Sequence, residues 1–186
     1  MAYYYLMAQL THLVYEQKPP MSSQEFKELA LSLLNKNDAV IFNSLSLNEC
    51  LFKKSKSGCG FIDNWRDWDR VLRLNLAKQR AIKLKRDNAH IPEPPATHMD
   101  TAYIASKAID EHSPLEAELH IDKARWKAIE DFTGNDYFSR NNVYAYFLKL
   151  LLLERREVFD AEKGFTEYKS LYASIVESAQ VSRGEF

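Results

Sequence analysis

Four of the five histidines, His90, His98, His112 and His120, could in principle bind a metal ion. Metal sites on a helix use spacings such as E-x-x-H or H-E-x-x-H, because these place the ligands on one face. The four histidines lack such a spacing and stand in a polar, loop-rich part of the chain. We therefore expect them to be solvated, and the sequence predicts no metal site.

The two cysteines and the glycine-containing segment around the second one also lack a recognisable motif. Cys50 and Cys59 are not arranged in the C-x-x-C pairs of a zinc knuckle. We expect reduced thiols, because a secreted framework of this size usually has more cysteine pairs. Residues 55–60 contain lysine and glycine, but not in the G-x-x-x-x-G-K-[ST] order that binds phosphates. The sequence thus predicts neither direct nucleotide binding nor a cofactor.

Glu154 and Glu157 stand on either side of Arg155 and Arg156, a pattern that fits either a catalytic cluster or the solvated end of a helix. Ordinary ion pairs at a helix end are the commoner origin of such a pattern. The sequence also lacks the G-x-S-x-G elbow and the glycine pattern of a dinucleotide-binding fold. We therefore predict no catalytic residues and no enzymatic activity.

A basic helix over residues 65–86 is the strongest charge feature, with eight Lys or Arg residues against two Asp residues and so a net charge of +6. Such a helix could bind nucleic acid through phosphate contacts and base stacking on Trp65 and Trp68. However, the two tryptophans share one apolar stripe, which is typical of core residues. The acidic stretch 116–131 also offers an internal partner, so we expect these basic residues to pair within the chain or with another protein rather than with nucleic acid. The candidate partner-binding residues are Arg70, Arg73, Arg80, Lys83 and Arg86.

The element that must organise the chain is a helix over residues 139–160. Between Val143 and Leu153 only Lys149 interrupts the apolar residues, so this helix must be covered on nearly every side, and we expect Leu151 to be buried. Ser139 is its expected N-cap. The apolar run is shorter than the roughly 20 residues that span a bilayer, so a core helix is expected.

The remaining chain predicts further helices, because only five glycines occur among 186 residues and apolar positions recur at helical spacing. Ser22 and Glu25 form a capping box for one helix, and Asp38 is the expected cap of the next. We predict a compact all-α bundle of about six to seven helices around the helix near 139–160. It forms a single domain over 1–186, with a Pro-rich connector at 91–96 between two lobes. Residues 3–10 are expected to form the first turns of a helix, with a short strand as the alternative. Further helices are expected at 63–87, 97–111 and 114–131 and over an amphipathic stretch with Phe165, Tyr168, Leu171, Tyr172, Ile175 and Val176.

Three stretches of the chain resemble a bacterial family of helical proteins encoded with the subunits of V-type (A/V-type) ATPases and taken to correspond to the C subunit of those complexes. The opening residues 3–10 are similar to the start of that family, and the run 145–164 gives the strongest match. The third stretch is the basic helix. Its matching residues are Trp65, Trp68, Leu72, Arg73, Leu76, Ala77, Arg80 and Ala81.

The resemblance implies a fold like part of the all-helical C subunit, which is called the d subunit in eukaryotes, and a non-catalytic role in a rotary ATPase. The C subunit is an adaptor that couples the central stalk to the membrane proteolipid ring during proton or sodium transport. The implied partners are the proteins of that stalk and ring. The implied location is cytoplasmic and peripheral to the inner membrane through the complex, consistent with an N-terminus that lacks the basic region of a signal peptide. The C subunit proper is much longer, so this chain could supply only part of that structure. The alternative is an unrelated helical adaptor that binds protein or nucleic acid through residues 65–86.

Overall fold

The computed structural model describes residues 3–48, 56–159, 165–172 and 174–175. Every regular element among these residues is a helix, which confirms the predicted all-α fold. A further helical segment covers residues 165–172 and 174–175 and is called the C-terminal segment below. The preceding helices are α1 Tyr4–Ala8, α2 Ser23–Leu33, α3 Lys36–Asn43, α4 Gly60–Lys83, α5 Asp100–Asp110, α6 Pro114–Thr133 and α7 Arg140–Glu157.

The chain divides into two compact units, the first ending at Glu154 and the second beginning at Arg155. The first unit contains α1 to α6 and most of α7, and α4, α5 and α6 pack against one another within it. The proline-rich connector 91–96 joins α4 to α5 inside this unit. The C-terminal segment belongs to the second unit. No helix among the described residues has both the length and the apolar character needed to cross a bilayer.

Helix α7 is buried on most sides within the first unit, as its apolar sequence predicts. Its side chains from Val143 to Leu148, together with those of Leu150, Leu152 and Leu153, are buried. Phe147 lies against Phe26 of α2 and Phe42 of α3, with ring centroids 6.4 and 4.8 Å apart. Such aromatic contacts add to the free energy gained by removing the rings from water.

Two expectations about α7 are wrong. The hydroxyl of Ser139 is buried and makes no hydrogen bond to the described residues, so this side chain does not cap the helix. Leu151 is only partly buried, because its side of α7 is covered less completely than the neighbouring positions. The main chain before α7 is instead held by the residue before α1, since the Tyr3 backbone N–H donates to the Phe138 carbonyl at 2.7 Å.

The caps of α2 and α3 follow from short-range side-chain hydrogen bonds. Ser22 and Glu25 form the predicted capping box, each side chain accepting from the other residue's backbone N–H. The predicted cap of α3 is wrong, because Asn35 occupies that position and its side-chain oxygen accepts from the Asp38 backbone N–H at 2.9 Å. Asp38 lies in the first turn of the helix, with 3% of its surface exposed.

Helix α4 begins and ends a few residues before its predicted bounds of 63–87. It starts at Gly60 and stops at Lys83, and Lys85 adopts a positive φ of 51°. A residue in the left-handed region after a helix terminates it, because it turns the backbone away from the helical path. Arg86 therefore lies beyond the helix on which we placed it. Its backbone N–H donates back to the Ala81 carbonyl.

Candidate partner-binding site

The five predicted partner-binding residues fall into two groups. Arg70 forms an ion pair with Asp67 at 2.8 Å, and Arg73 forms one with Asp69 at 2.7 Å; both arginines are half-buried. These two guanidinium groups are therefore engaged within the first unit.

Three of the predicted residues lie at the C-terminal end of α4 and just beyond it. The Arg80 guanidinium is more than half exposed and lies 3.7 Å from the Glu118 carboxylate. Lys83 is exposed and donates to the Ile109 carbonyl, and Arg86 is exposed. These three remain the basic residues of the predicted set that a partner can reach most easily.

A buried ionic cluster joins α4 to α6, and no sequence motif marks it. The Arg125 guanidinium donates to Asp69 and to Asp122, each at 2.9 Å, and only 6% of Arg125 is exposed. Burial would lower the pKa of Arg125, but the two carboxylates outweigh it and the pKa lies above its ordinary value. Asp69 uses its second oxygen for Arg73. Each buried charge in this cluster is therefore paired, as a low-dielectric interior requires.

A second buried carboxylate, that of Asp38, joins the start of the chain to α3 and α7. It accepts hydrogen bonds from the Tyr3 hydroxyl at 2.6 Å, the Asn35 amide at 2.9 Å and the Arg140 guanidinium at 3.1 Å. The Tyr144 hydroxyl donates to the Asp38 backbone carbonyl at 3.1 Å. Burial, the largest influence, would raise the pKa of Asp38, but the three hydrogen bonds outweigh it and leave the pKa below its ordinary value.

Asp38 is expected to make stability depend on pH in the acid range. A carboxyl group with a lowered pKa in the folded state contributes stability that is fully present above the unfolded pKa of about 3.9. That stability is lost as the pH falls through the folded pKa. In urea denaturation, the difference in unfolding free energy between the protein and its Asp38→Asn variant should be largest near neutral pH and shrink below about pH 4. Glu25 also has a lowered pKa. Because Glu25 is present in both proteins, its contribution to the pH dependence cancels in the difference. A difference that stays constant through this range would contradict the prediction.

Glu154 also has a structural role that we did not foresee. Its two carboxylate oxygens accept from the backbone N–H and the hydroxyl of Ser23, each at 2.5 Å. Ser23 is the first residue of α2, and a carboxylate is favoured there because the helix N-terminus carries partial positive charge. Glu154 therefore links α7 to the N-terminus of α2.

The histidines and cysteines occupy separate places. His90 and His112 are exposed, whereas His98 is half-buried, with Nε2 3.6 Å from the Asp67 carboxylate. Cys59 is buried as a free thiol, and Cys50 lies outside the described residues. No group of three or more histidine, cysteine or acidic side chains suited to a metal ion occurs in the described part of the chain.

An apolar groove of about 880 Å³ lies in the first unit between α5 and α6 and is called the α5–α6 groove below. Trp68 of α4 and Trp126 of α6 are buried along its floor, whereas Tyr103 of α5 is 65% exposed at its edge. Its volume is within the range of protein binding sites. The helical spacing of apolar residues can indicate which side chains line the groove. It cannot show that open space lies between them.

The C-terminal segment carries a row of exposed apolar side chains within the second unit. Each of the five is more than half exposed, although their spacing is that of a helix face that normally becomes buried. The residues are Phe165, Tyr168, Leu171, Tyr172 and Ile175. The predicted amphipathic helix is thus present where the structure describes it, and Val176 lies outside the described residues.

Comparison with known proteins gives one match. A family model described as a protein of unknown function (DUF2764) matches residues 106–179, which is less than half of the chain and includes α6, α7 and the described C-terminal segment. No curated protein and no solved structure matches the chain. The chain is therefore similar, over residues 106–179, to a family whose function is not known.

Proposed function

We propose that this protein is a non-catalytic subunit of a V-type or A-type rotary ATPase. It acts as an adaptor, similar to the C subunit, that helps to couple the central stalk to the membrane proteolipid ring. The assignment to a rotary ATPase comes from the sequence resemblance. The adaptor role is supported chiefly by one observation, the exposed apolar face of the C-terminal segment.

The resembling stretches coincide with structural elements of the bundle. They include α1, much of α4 and most of α7, and several of their resembling side chains belong to the core of the first unit. Trp65, Trp68 and Leu72 of α4 are among them. The strongest of these stretches, 145–164, also lies inside the segment 106–179 that matches a family model. The resemblance therefore concerns residues that determine the fold, which is compatible with a shared helical architecture.

The C-terminal segment provides a surface of the kind that adaptors use. An amphipathic helix with exposed apolar side chains at helical spacing is suited to a groove on another protein. Burying its five large side chains in such a groove would release free energy in proportion to the apolar area removed from water. We assign this face to the contact with the ATPase stalk.

The basic residues at the end of α4 supply a second, electrostatic contact in this proposal. Arg80, Lys83 and Arg86 are exposed to an extent that permits pairing with acidic side chains of the ring or the stalk. The nucleic-acid alternative would use the same surface. It is weaker, because Arg70 and Arg73 already pair with aspartates of the same helix.

The proposal is tested by affinity purification of the tagged protein from its own cells at low and high salt, with the partners identified by mass spectrometry. Stalk and ring proteins of the ATPase are expected at low salt. Simultaneous Tyr168→Glu and Leu171→Glu changes should strongly reduce their recovery, because charges would be forced into an apolar contact.

Ser170→Glu is the matched control, since it adds a charge to the same segment outside the apolar row. Its recovery of ATPase subunits should equal that of the unmodified protein. Thermal unfolding should be the same for all three proteins, because the altered side chains are exposed. Recovery of nucleic acid instead of ATPase subunits would favour the alternative, and unchanged recovery with the double variant would refute the assigned contact face.

A further inference from the structure

We propose that the proline-rich connector 91–96 is a docking segment, which another protein recognises through a groove lined with aromatic side chains. The connector contains Pro92, Pro94 and Pro95 and joins α4 to α5 within the first unit. This inference goes beyond the proposed function, since it rests on the connector alone and does not require the partner to belong to the rotary ATPase.

Covalent geometry holds the connector in an extended, polyproline II form. Residues 92–95 lie outside any helix or turn. Each proline ring fixes its own φ at about −65°, and the residue before a proline is restricted to extended conformations. Glu93 and Pro94 each precede a proline, so both central residues of this stretch are held in that form. Because a polyproline II helix has about three residues per turn, residues three apart lie on the same edge.

The exposure of the side chains follows this three-residue repeat. Ile91 and Pro94, three positions apart, are half-buried, whereas Pro92, Glu93 and Pro95 are exposed. The connector therefore turns one edge towards the first unit and another towards solvent. Two exposed prolines at this spacing are the feature that aromatic grooves of proline-recognising proteins bind.

Two contacts restrain the connector before any partner arrives. The Glu93 carboxylate pairs with Lys78 of α4, and the Ile91 backbone N–H donates to the Asn88 carbonyl at 3.0 Å. Since proline lacks a backbone N–H, covering the two exposed prolines buries no main-chain donor at those positions. A segment that is already ordered loses less conformational entropy when it binds.

A role as a spacer does not account for the stiffness of the connector. Proline-rich spacers keep domains apart, but α4 and α5 pack against each other within the first unit. A space of about 250 Å³ beside the connector is lined by Pro94 and Pro95 and by Asn75 and Lys78 of α4. The connector is therefore not packed closely against α4 at this point, which leaves room for a partner.

Photo-crosslinking of the full chain in its native cells tests the docking segment. Ala96→benzoylphenylalanine places a reactive group at an exposed position beside Pro95, and mass spectrometry identifies the peptide to which it becomes linked. We expect a peptide of another protein that contributes tryptophan or tyrosine side chains to a surface groove. Tyr5→benzoylphenylalanine, at an exposed position of α1, is the control and should not capture that peptide.

Two substitutions added to the crosslinking variant separate contact from stiffness. Pro92→Ala removes a ring from the exposed edge and should reduce capture several-fold. Pro94→Ala relaxes the connector in the same way but removes a half-buried ring, so capture should be largely retained. Thermal unfolding should be similar for the two variants, because neither ring is fully buried.

The outcomes also separate this inference from the proposed function. Capture of an aromatic-rich peptide that Pro92→Ala reduces and Pro94→Ala retains would support the docking segment, whether or not the captured protein belongs to the ATPase. Absence of capture, equal effects of the two substitutions, or a crosslink to a peptide without aromatic residues, to nucleic acid or to a second copy of this chain would overturn it. Recovery of ATPase subunits by affinity purification would still support the proposed function in each of these cases.

Discussion

Replacing Arg125 by alanine is expected to lower the free energy of unfolding by about 3 to 5 kcal/mol. The guanidinium lies between the buried carboxylates of Asp69 and Asp122, with a donor 2.9 Å from each. Removing it leaves negative charge in an interior that cannot solvate it, and this penalty exceeds the value of the ion pairs themselves. Urea denaturation near neutral pH, followed by circular dichroism, measures the loss.

Lys127→Ala provides the matched control on the same helix. Lys127 pairs with Asp131 at 2.7 Å, but the two side chains are 73% and 58% exposed. Exposed pairs contribute little to the free energy of unfolding, because water already solvates both charges, so this variant should lose far less stability than Arg125→Ala. Equal losses for the two variants would show that the Arg125 cluster is not buried as described.

Replacing Leu150 by alanine is expected to cost about 2 to 5 kcal/mol. Leu150 is fully buried in α7, with 0% of its surface exposed, and its neighbours come from the tightly packed core. The cost combines the lost burial of apolar surface with the cavity that remains. Chemical denaturation gives the change in unfolding free energy.

Leu151→Ala makes the same chemical change one residue later and should cost clearly less. Leu151 is only partly buried, so part of its surface is in water before the change and a smaller cavity results. If Leu151→Ala proved at least as costly as Leu150→Ala, the orientation of α7 within the first unit would be wrong.

The fold was largely predictable because its signals are local. The Ser22–Glu25 capping box lies within four residues of sequence, and the spacing of Trp65, Trp68 and Leu72 marks the buried face of α4. The apolar run of α7 required burial on most sides whatever surrounded it. Such features depend on the backbone preferences and the hydrophobicity of neighbouring residues, and both can be read from the sequence.

The partners of individual polar residues could not be predicted in the same way. Asp69 and Arg125 are 56 positions apart, and only the packing of α4 against α6 brings them together. A clue was present, since Asp69 occupies the same helical face as Trp65 and Leu72, where a charge must find a buried partner. The cap of α3 was predicted wrongly for another reason. Asp38 has a residue type that is suited to an N-cap, but Asn35, three residues earlier, is the residue whose side chain accepts from a backbone N–H of the first turn.

The space between α5 and α6 was beyond sequence reasoning for a different reason. Periodicity identifies which side of a helix is apolar, but not whether a neighbour fills the space beside it. Tyr103 and Ile104 could equally have been core residues. Only the three-dimensional arrangement shows that their side of α5 borders an open groove.

The hydrogen bonds between the two ends of the first unit have a consequence for its synthesis. Tyr3 bonds to Phe138, the Tyr146 hydroxyl donates to the Thr11 carbonyl, and Ser23 bonds to Glu154. The last two contacts span 135 and 131 positions, whereas α4, α5 and α6 pack with partners much closer in sequence. During translation, the middle helices can associate first, but the N-terminal helices must wait until α7 has left the ribosome. Until then the apolar faces of α1 and α2 lack their final cover, which leaves the nascent chain prone to aggregation until α7 has emerged.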